Sequence, residues 1–240
     1  MFTAKHFIWI GLCALFVVVM CLVSRRRNMR LRTAGMIMTA ICVLSEVCKV
    51  MSEMVMSPGG GMHLDPGSLP LHLCSLMMFA VVYITFGKES RFRTTVINFV
   101  TAAGTLGSFF AILIPTNGVE FTTVYAYQCF VYHAGLMWFS LYLILSGHAE
   151  PGRVKTLAKN LGIMLALTFC MLYVNGALSA YDTNFFFLTR PPMEGLPYLN
   201  LDDGWYTYFL RLTTLGIALV TLFHLPFCVA RRKQRAAKRS

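Results

Sequence analysis

The amino-acid sequence predicts an all-α polytopic membrane protein, a bundle of seven transmembrane helices with its N-terminus outside and its C-terminus in the cytoplasm, on three grounds. Of 240 residues, 57% are hydrophobic and only 13% charged, and the mean hydropathy is +0.63, beyond what a soluble domain with a buried core carries. The apolar runs are continuous rather than alternating, so the spans are helices, whose backbone polar groups pair within the segment, and not barrel strands. The cations alternate from one connection to the next. Arg25, Arg26, Arg27, Arg30 and Arg32 follow the first run; Lys88, Arg91 and Arg93 follow the third; Arg153, Lys155 and Lys159 follow the fifth; and Arg231, Arg232, Lys233, Arg235, Lys238 and Arg239 follow the last. The intervening connections hold only Lys5 and Arg190, which sets the orientation by the positive-inside rule. The net charge of +11 therefore tracks the membrane and argues against a nucleic-acid partner.

The spans fall at about 6–24, 33–56, 69–87, 94–114, 121–146, 157–179 and 205–229, each near or above the roughly 20 residues needed to cross. They make one domain, followed by a basic tail over 230–240 that is expected to rest on anionic lipid headgroups. The first run is too long for a signal peptide, lacks a small-residue cleavage site and ends in arginines, a stop-transfer pattern. Eight cysteines are scattered through the spans with no close CxxC pair, which excludes a zinc ribbon or a loop disulfide framework; neither a metal nor a cofactor is expected.

In the second helix, Glu46, Lys49 and Glu53 fall within about 60° of one another and face protein or water. They form either a self-neutralising polar seam or a grip for a headgroup. Arg211 comes at a depth similar to that of Glu53, which makes the two a candidate pair. The following stretch, Ser57 to Gly67, is rich in glycine and reads as a flexible outer loop in which His63 is solvated. Asp65-Pro66-Gly67-Ser68 then suggests a turn and cap for the third helix, with Pro70 tolerated in its first turn.

That helix carries His72 and Cys74 inside its apolar opening turns. Two residues apart is about 200° of rotation, so these two point to opposite sides. The fourth helix has a small-residue face, Thr101, Gly104, Gly107 and Ser108, suited to close packing. The fifth holds Gln128 and Tyr132 on one stripe and Cys129 and His133 on another. At about 1.5 Å per residue, Cys74 and His133 fall in the outer half of the bilayer, about 5 to 10 Å apart in depth. After the sixth helix, the stretch from Asn175 through Tyr181, Asn184 and three phenylalanines to Pro191-Pro192 is expected to cap the helix ends at the membrane interface, as a lid or as interfacial packing.

Leu69-Pro70-Leu71-His72-Leu73-Cys74-Ser75, Gln128 with His133, and Asn175 with the segment Tyr181 to Leu188 and Pro191-Pro192 resemble the YwaF family of bacterial integral membrane proteins over helices 2 to 7. That family is similar to the transmembrane protein 164 group. The resemblance implies a cysteine-dependent phospholipid acyltransferase, with Cys74 as nucleophile, His133 as base, and His72, Gln128, Asn175, Tyr181 and Asn184 as groups that hold substrate. A lipid hydrolase is the neighbouring form of the same chemistry, in a multi-pass protein of the plasma membrane whose partners are membrane phospholipids. Two readings of the bundle compete with it: a proton-coupled or small-solute transporter lined by Glu46, Lys49, Glu53, His72, His133 and Arg211, and a non-catalytic scaffold. An open path to both aqueous faces would favour transport, a pocket opening sideways to lipid beside Cys74 acyl chemistry, and a packed interior with neither the scaffold.

Overall fold

The computed structural model describes residues 2–56, 61–115, 124–193 and 195–237. The chain is an all-α polytopic membrane protein with helices α1 (Ala4–Arg26), α2 (Leu31–Glu53), α3 (Leu73–Phe86), α4 (Arg91–Leu113), α5 (Val124–Leu145), α6 (Val154–Ala177) and α7 (Gly204–Ala237). Among the described residues six helices are long and apolar enough to cross a membrane, and α3 is a shorter apolar helix. The expected helix 2 overruns at its end: α2 stops at Glu53, and strands β1 (Met54–Met56) and β2 (Met62–Leu64) pair antiparallel beyond it. Part of the loop expected to be flexible is thus a hairpin; residues 57–60 of that loop, and residues 121–123 of the expected helix 5, lie outside the described residues.

The third helix is corrected more deeply, because it begins four residues later than the apolar run suggests. Asp65 spends its carboxylate on Gly67 N–H at 2.6 Å, capping a 3-10 turn at Pro66–Ser68 rather than the α-helix. Leu69, which precedes Pro70, is extended (ψ 148°), as the ring's clash with the preceding residue requires. A tight turn follows, Leu71 N–H donating to Leu69 O at 2.7 Å. His72 is therefore the N-cap residue, and Cys74 sits in the first turn. Fourteen residues reach only about 21 Å, short of a hydrocarbon core of about 30 Å. The rest of this crossing is non-helical backbone, allowed at membrane depth only where protein covers it.

α5 is the central staff, packed against α1, α2 and α4. Its apolar window is 67% buried, against 11% for α6 and for α7, so the latter two present most of their surface to lipid. Met38, Met77, Val81, Ile84, Leu136 and Phe139 fill the middle of the bundle. Polar ties gather the basic connections on one face. Tyr142 Oη–H donates to Met29 O at 2.8 Å, Glu150 N–H to Asn98 Oδ1 at 2.8 Å, Asn160 Nδ2–H to Asn98 O at 3.1 Å, and His224 Nδ1–H to Pro151 O at 2.7 Å. On the opposite face His6 Nε2–H donates to Ile112 O at 3.0 Å, fastening the start of α1 to the end of α4. α7 continues through Pro226 to Ala237, so the basic stretch expected as a tail is helical that far; at about 51 Å it outruns the hydrocarbon core.

Within the small-residue face of α4 only some positions are contacts. A Cβ on Gly104 would lie 2.4 Å from Ser140 Oγ of α5, whereas one on Gly107 would meet nothing within 4 Å. Gly104→Ala is therefore expected to cost about 1–3 kcal/mol through overpacking, read as a lowered melting temperature in detergent. Gly107→Ala should melt as wild type; equal effects at the two sites would contradict the packing assignment.

Candidate functional site

On the face away from the basic connections, α2, α3 and α5 enclose a cavity of about 90 Å³. Ser45, Glu46 and Lys49 come from α2, Cys74 and Ser75 from the first turn of α3, and Gln128, Cys129, Tyr132 and His133 from the early turns of α5. Five of the candidate site residues read from the sequence thus meet at one place: Cys74, His133, Gln128, Glu46 and Lys49. The late start of α3 is what brings Cys74 there, since it sets the thiol and the first-turn N–H groups at membrane depth. No side chain caps that turn.

His133 is held in one tautomer. Its Nδ1 lies 2.7 Å from Cys129 O; a carbonyl can only accept, so Nδ1 carries the proton and, in the neutral ring, Nε2 carries the lone pair. Nε2 is buried and, among the described residues, has no hydrogen-bond partner. The Cys129 sulfur, 3.5 Å from Nδ1, faces the nitrogen that already holds a proton. Three cysteines line the cavity, Cys42, Cys74 and Cys129, and that arrangement sets Cys129 apart, because only a group facing Nε2 can give a proton to the ring.

The remaining contacts fix the frame. Tyr132, which the sequence placed on the Gln128 stripe, donates its hydroxyl to Cys74 O at 2.5 Å and ties α5 to the first turn of α3. Gln128 Nε2–H donates to Ser45 Oγ. Lys49 Nζ is 2.7 Å from Glu46 Oε1, so the ladder neutralises itself in part while standing in the cavity wall.

The other sequence candidates sit elsewhere. Glu53 and Arg211 do not pair: Arg211 Nη2 is 2.5 Å from Asp203 Oδ2 and its Nη1 donates to Asn200 Oδ1 at 3.2 Å. Asp203 is in the loop directly before α7 and needs no reach across the bundle. Glu53 Oε2 is buried without a hydrogen bond among the described residues. Asn175 clasps a backbone, donating to Phe185 O at 3.0 Å and accepting from Phe185 N–H at 2.8 Å. Asn184 is spent on its own loop, its Oδ1 accepting from Thr189 N–H at 3.1 Å and Thr189 Oγ1–H at 2.8 Å. Tyr181 is exposed.

His72 lies against the rings of Phe185 and Phe187, at centroid distances of 5.3 and 5.5 Å, which couples the segment after α6 to the start of α3. That segment is a tied-down cap: Trp205 Nε1–H donates to Leu188 O at 2.8 Å and Tyr208 Oη–H to Phe187 O. Phe186 and Phe187 hold φ of 59° and 57°, a left-handed conformation that bulky residues keep only when their surroundings impose it. Among the described residues no three His, Cys, Asp or Glu side chains gather as a metal-binding set.

Residues 1–224 match the TMEM164 family, and the chain belongs to it. No curated protein and no solved structure matches the chain.

Proposed function

We propose that this member of the TMEM164 family is a plasma-membrane enzyme that transfers or hydrolyses acyl groups of phospholipids, with Cys74 as nucleophile and His133 as general base. The observation that carries the reading is the bare, proton-accepting Nε2 of His133 in the same cavity as the Cys74 thiol. A thiol at neutral pH is a weak nucleophile until a base takes its proton. His133 Nε2 accepts that proton as the sulfur attacks the ester carbonyl carbon; the new S–C bond forms, the ester C–O bond breaks, and the imidazolium returns the proton to the departing alkoxide of the lysophospholipid. An acceptor hydroxyl, or water, then attacks the thioester by the reverse sequence, giving its proton to His133 and restoring the thiol. The uncapped N–H groups at the start of α3 are the donors for the oxyanion of both tetrahedral intermediates in this scheme.

The residue-level likeness to YwaF proteins supports this reading, and so does the cavity's size. About 90 Å³ admits an ester group but not an acyl chain. The packed apolar middle, with Met38, Met77, Val81 and Leu136, separates the cavity from the basic face and favours local chemistry over a transport path. Incubation of the purified protein with acyl-labelled phospholipid is expected to trap a hydroxylamine-sensitive thioester on wild type and none on Cys74→Ala. Label that persists on Cys74→Ala, or that maps to Cys129 or Cys170, ends the assignment.

The orientation is tested by single-cysteine labelling in a cysteine-free background. Positions 26 and 232 should be protected in intact cells, and positions 63 and 192 should react with an impermeant reagent. The reversed pattern would put the site in the cytoplasmic leaflet.

A further inference from the structure

A second cavity, about 290 Å³, opens at the basic face between the end of α1, the α1–α2 turn and the end of α5. Its polar lining includes Arg25, Asn28, Ser146 and His148, its apolar wall Met29 and Leu145, and no Asp or Glu lines it. Nearby carboxylates are committed elsewhere, Glu89 to Arg93 at 3.0 Å and Glu150 to Arg153 at 2.5 Å. Among the described residues Arg25 has no ion-pair partner, and Arg26, Arg27, Arg30 and Arg32 crowd the same turn. Among the described residues, no carboxylate therefore neutralises Arg25.

Helix ends would normally oppose an anion through their free carbonyls, but here several are covered. Arg27 N–H and Met29 N–H bond Val23 O and Ser24 O, each at 2.9 Å, and Ser146 N–H and Ala149 N–H bond Tyr142 O and Leu143 O, each at 2.9 Å. Burial and the Arg93 charge hold the His148 imidazole below the usual histidine range, so at neutral pH it offers a neutral ring and Arg25 supplies the charge. The floor is rigid, because Tyr142 is spent on Met29 O and Trp138 Nε1–H donates to Ser24 Oγ at 3.1 Å. The wall runs out through Leu145, 66% exposed, onto the apolar outer surface of the bundle.

We propose that this cavity binds the phosphate headgroup of an anionic glycerophospholipid from the leaflet at the basic face, independently of the chemistry at Cys74. A guanidinium with hydroxyl and amide neighbours suits a phosphate, basic pockets between membrane helices hold anionic headgroups, and the apolar wall continues into the region where acyl chains lie. A free phosphate ester would use the same polar groups and gain nothing from that wall.

The test titrates phosphatidylglycerol into the full chain held in phosphatidylcholine nanodiscs. Wild type and Arg26→Gln, a change beside the cavity, are expected to bind it alike, and the double variant Arg25→Gln/His148→Gln at least tenfold more weakly. Equal loss in the double variant and in Arg26→Gln would reduce the effect to general surface charge and overturn the site. Soluble glycerol phosphate competing at the same concentration as the lipid would overturn the lipid as ligand. A measurement without variants keeps the proposal testable if the double variant does not fold: a photoactivatable phosphatidylglycerol should mark wild-type peptides containing Asn28 and Ser146. Labelling confined to the Arg231 to Arg235 segment would refute the cavity.

Discussion

His133→Ala is expected to lower the rate of thioester formation by about 100- to 10,000-fold, the range for loss of a positioned general base, while the protein remains folded. The substitution removes the acceptor nitrogen but orphans no backbone group, since Cys129 O keeps the helical bond from the His133 backbone N–H. Its melting temperature and elution volume should stay close to wild type. Cys129→Ala is the control: its sulfur faces the protonated Nδ1 at 3.5 Å, so thioester formation should change little. A His133→Ala enzyme that acylates at the wild-type rate would remove the base from the mechanism, and a large loss in Cys129→Ala alone would move the nucleophile.

Asn175→Ala should have the largest effect on stability. Phe185 is fully buried; its N–H relies on the Asn175 amide, and its C=O accepts both from Asn175 and from Leu188 N–H at 3.3 Å. Truncation leaves the buried Phe185 N–H unpaired, at about 1–3 kcal/mol, and removes one of the two bonds to its C=O, at about 0.5–1.5 kcal/mol more. Asn175→Asp can still accept from the N–H but cannot donate to the carbonyl, so its loss should be intermediate. Thermal melting in detergent reads both. If Asn175 instead held substrate, activity would fall with no change in melting, and the clasp would be the wrong account of this residue.

The membrane class, the seven apolar segments and the alternation of basic connections follow from the sequence by itself, because hydropathy, span length and charge bias are summed locally and need no partner. Cys74 and His133 were also legible there, since a thiol and an imidazole in apolar runs at similar depth stand out against their neighbours. Tertiary structure decided what depends on direction. Hydropathy counts Leu69 to His72 as helix because the run is apolar, whereas Pro70 keeps Leu69 extended, a tight turn follows, and that late start lodges Cys74 in the first turn of α3. Depth could suggest Arg211 for Glu53, but the side chain takes the nearer carboxylate of Asp203. The polarity of Asn175 advertised a substrate donor, yet its two bonds go to one buried backbone residue ten positions on, a pairing that exists only once the segment folds back over α3. The choice between the His133 nitrogens, and with it the proton state of the nitrogen that Cys129 faces, rests on a single backbone carbonyl whose position no residue type encodes.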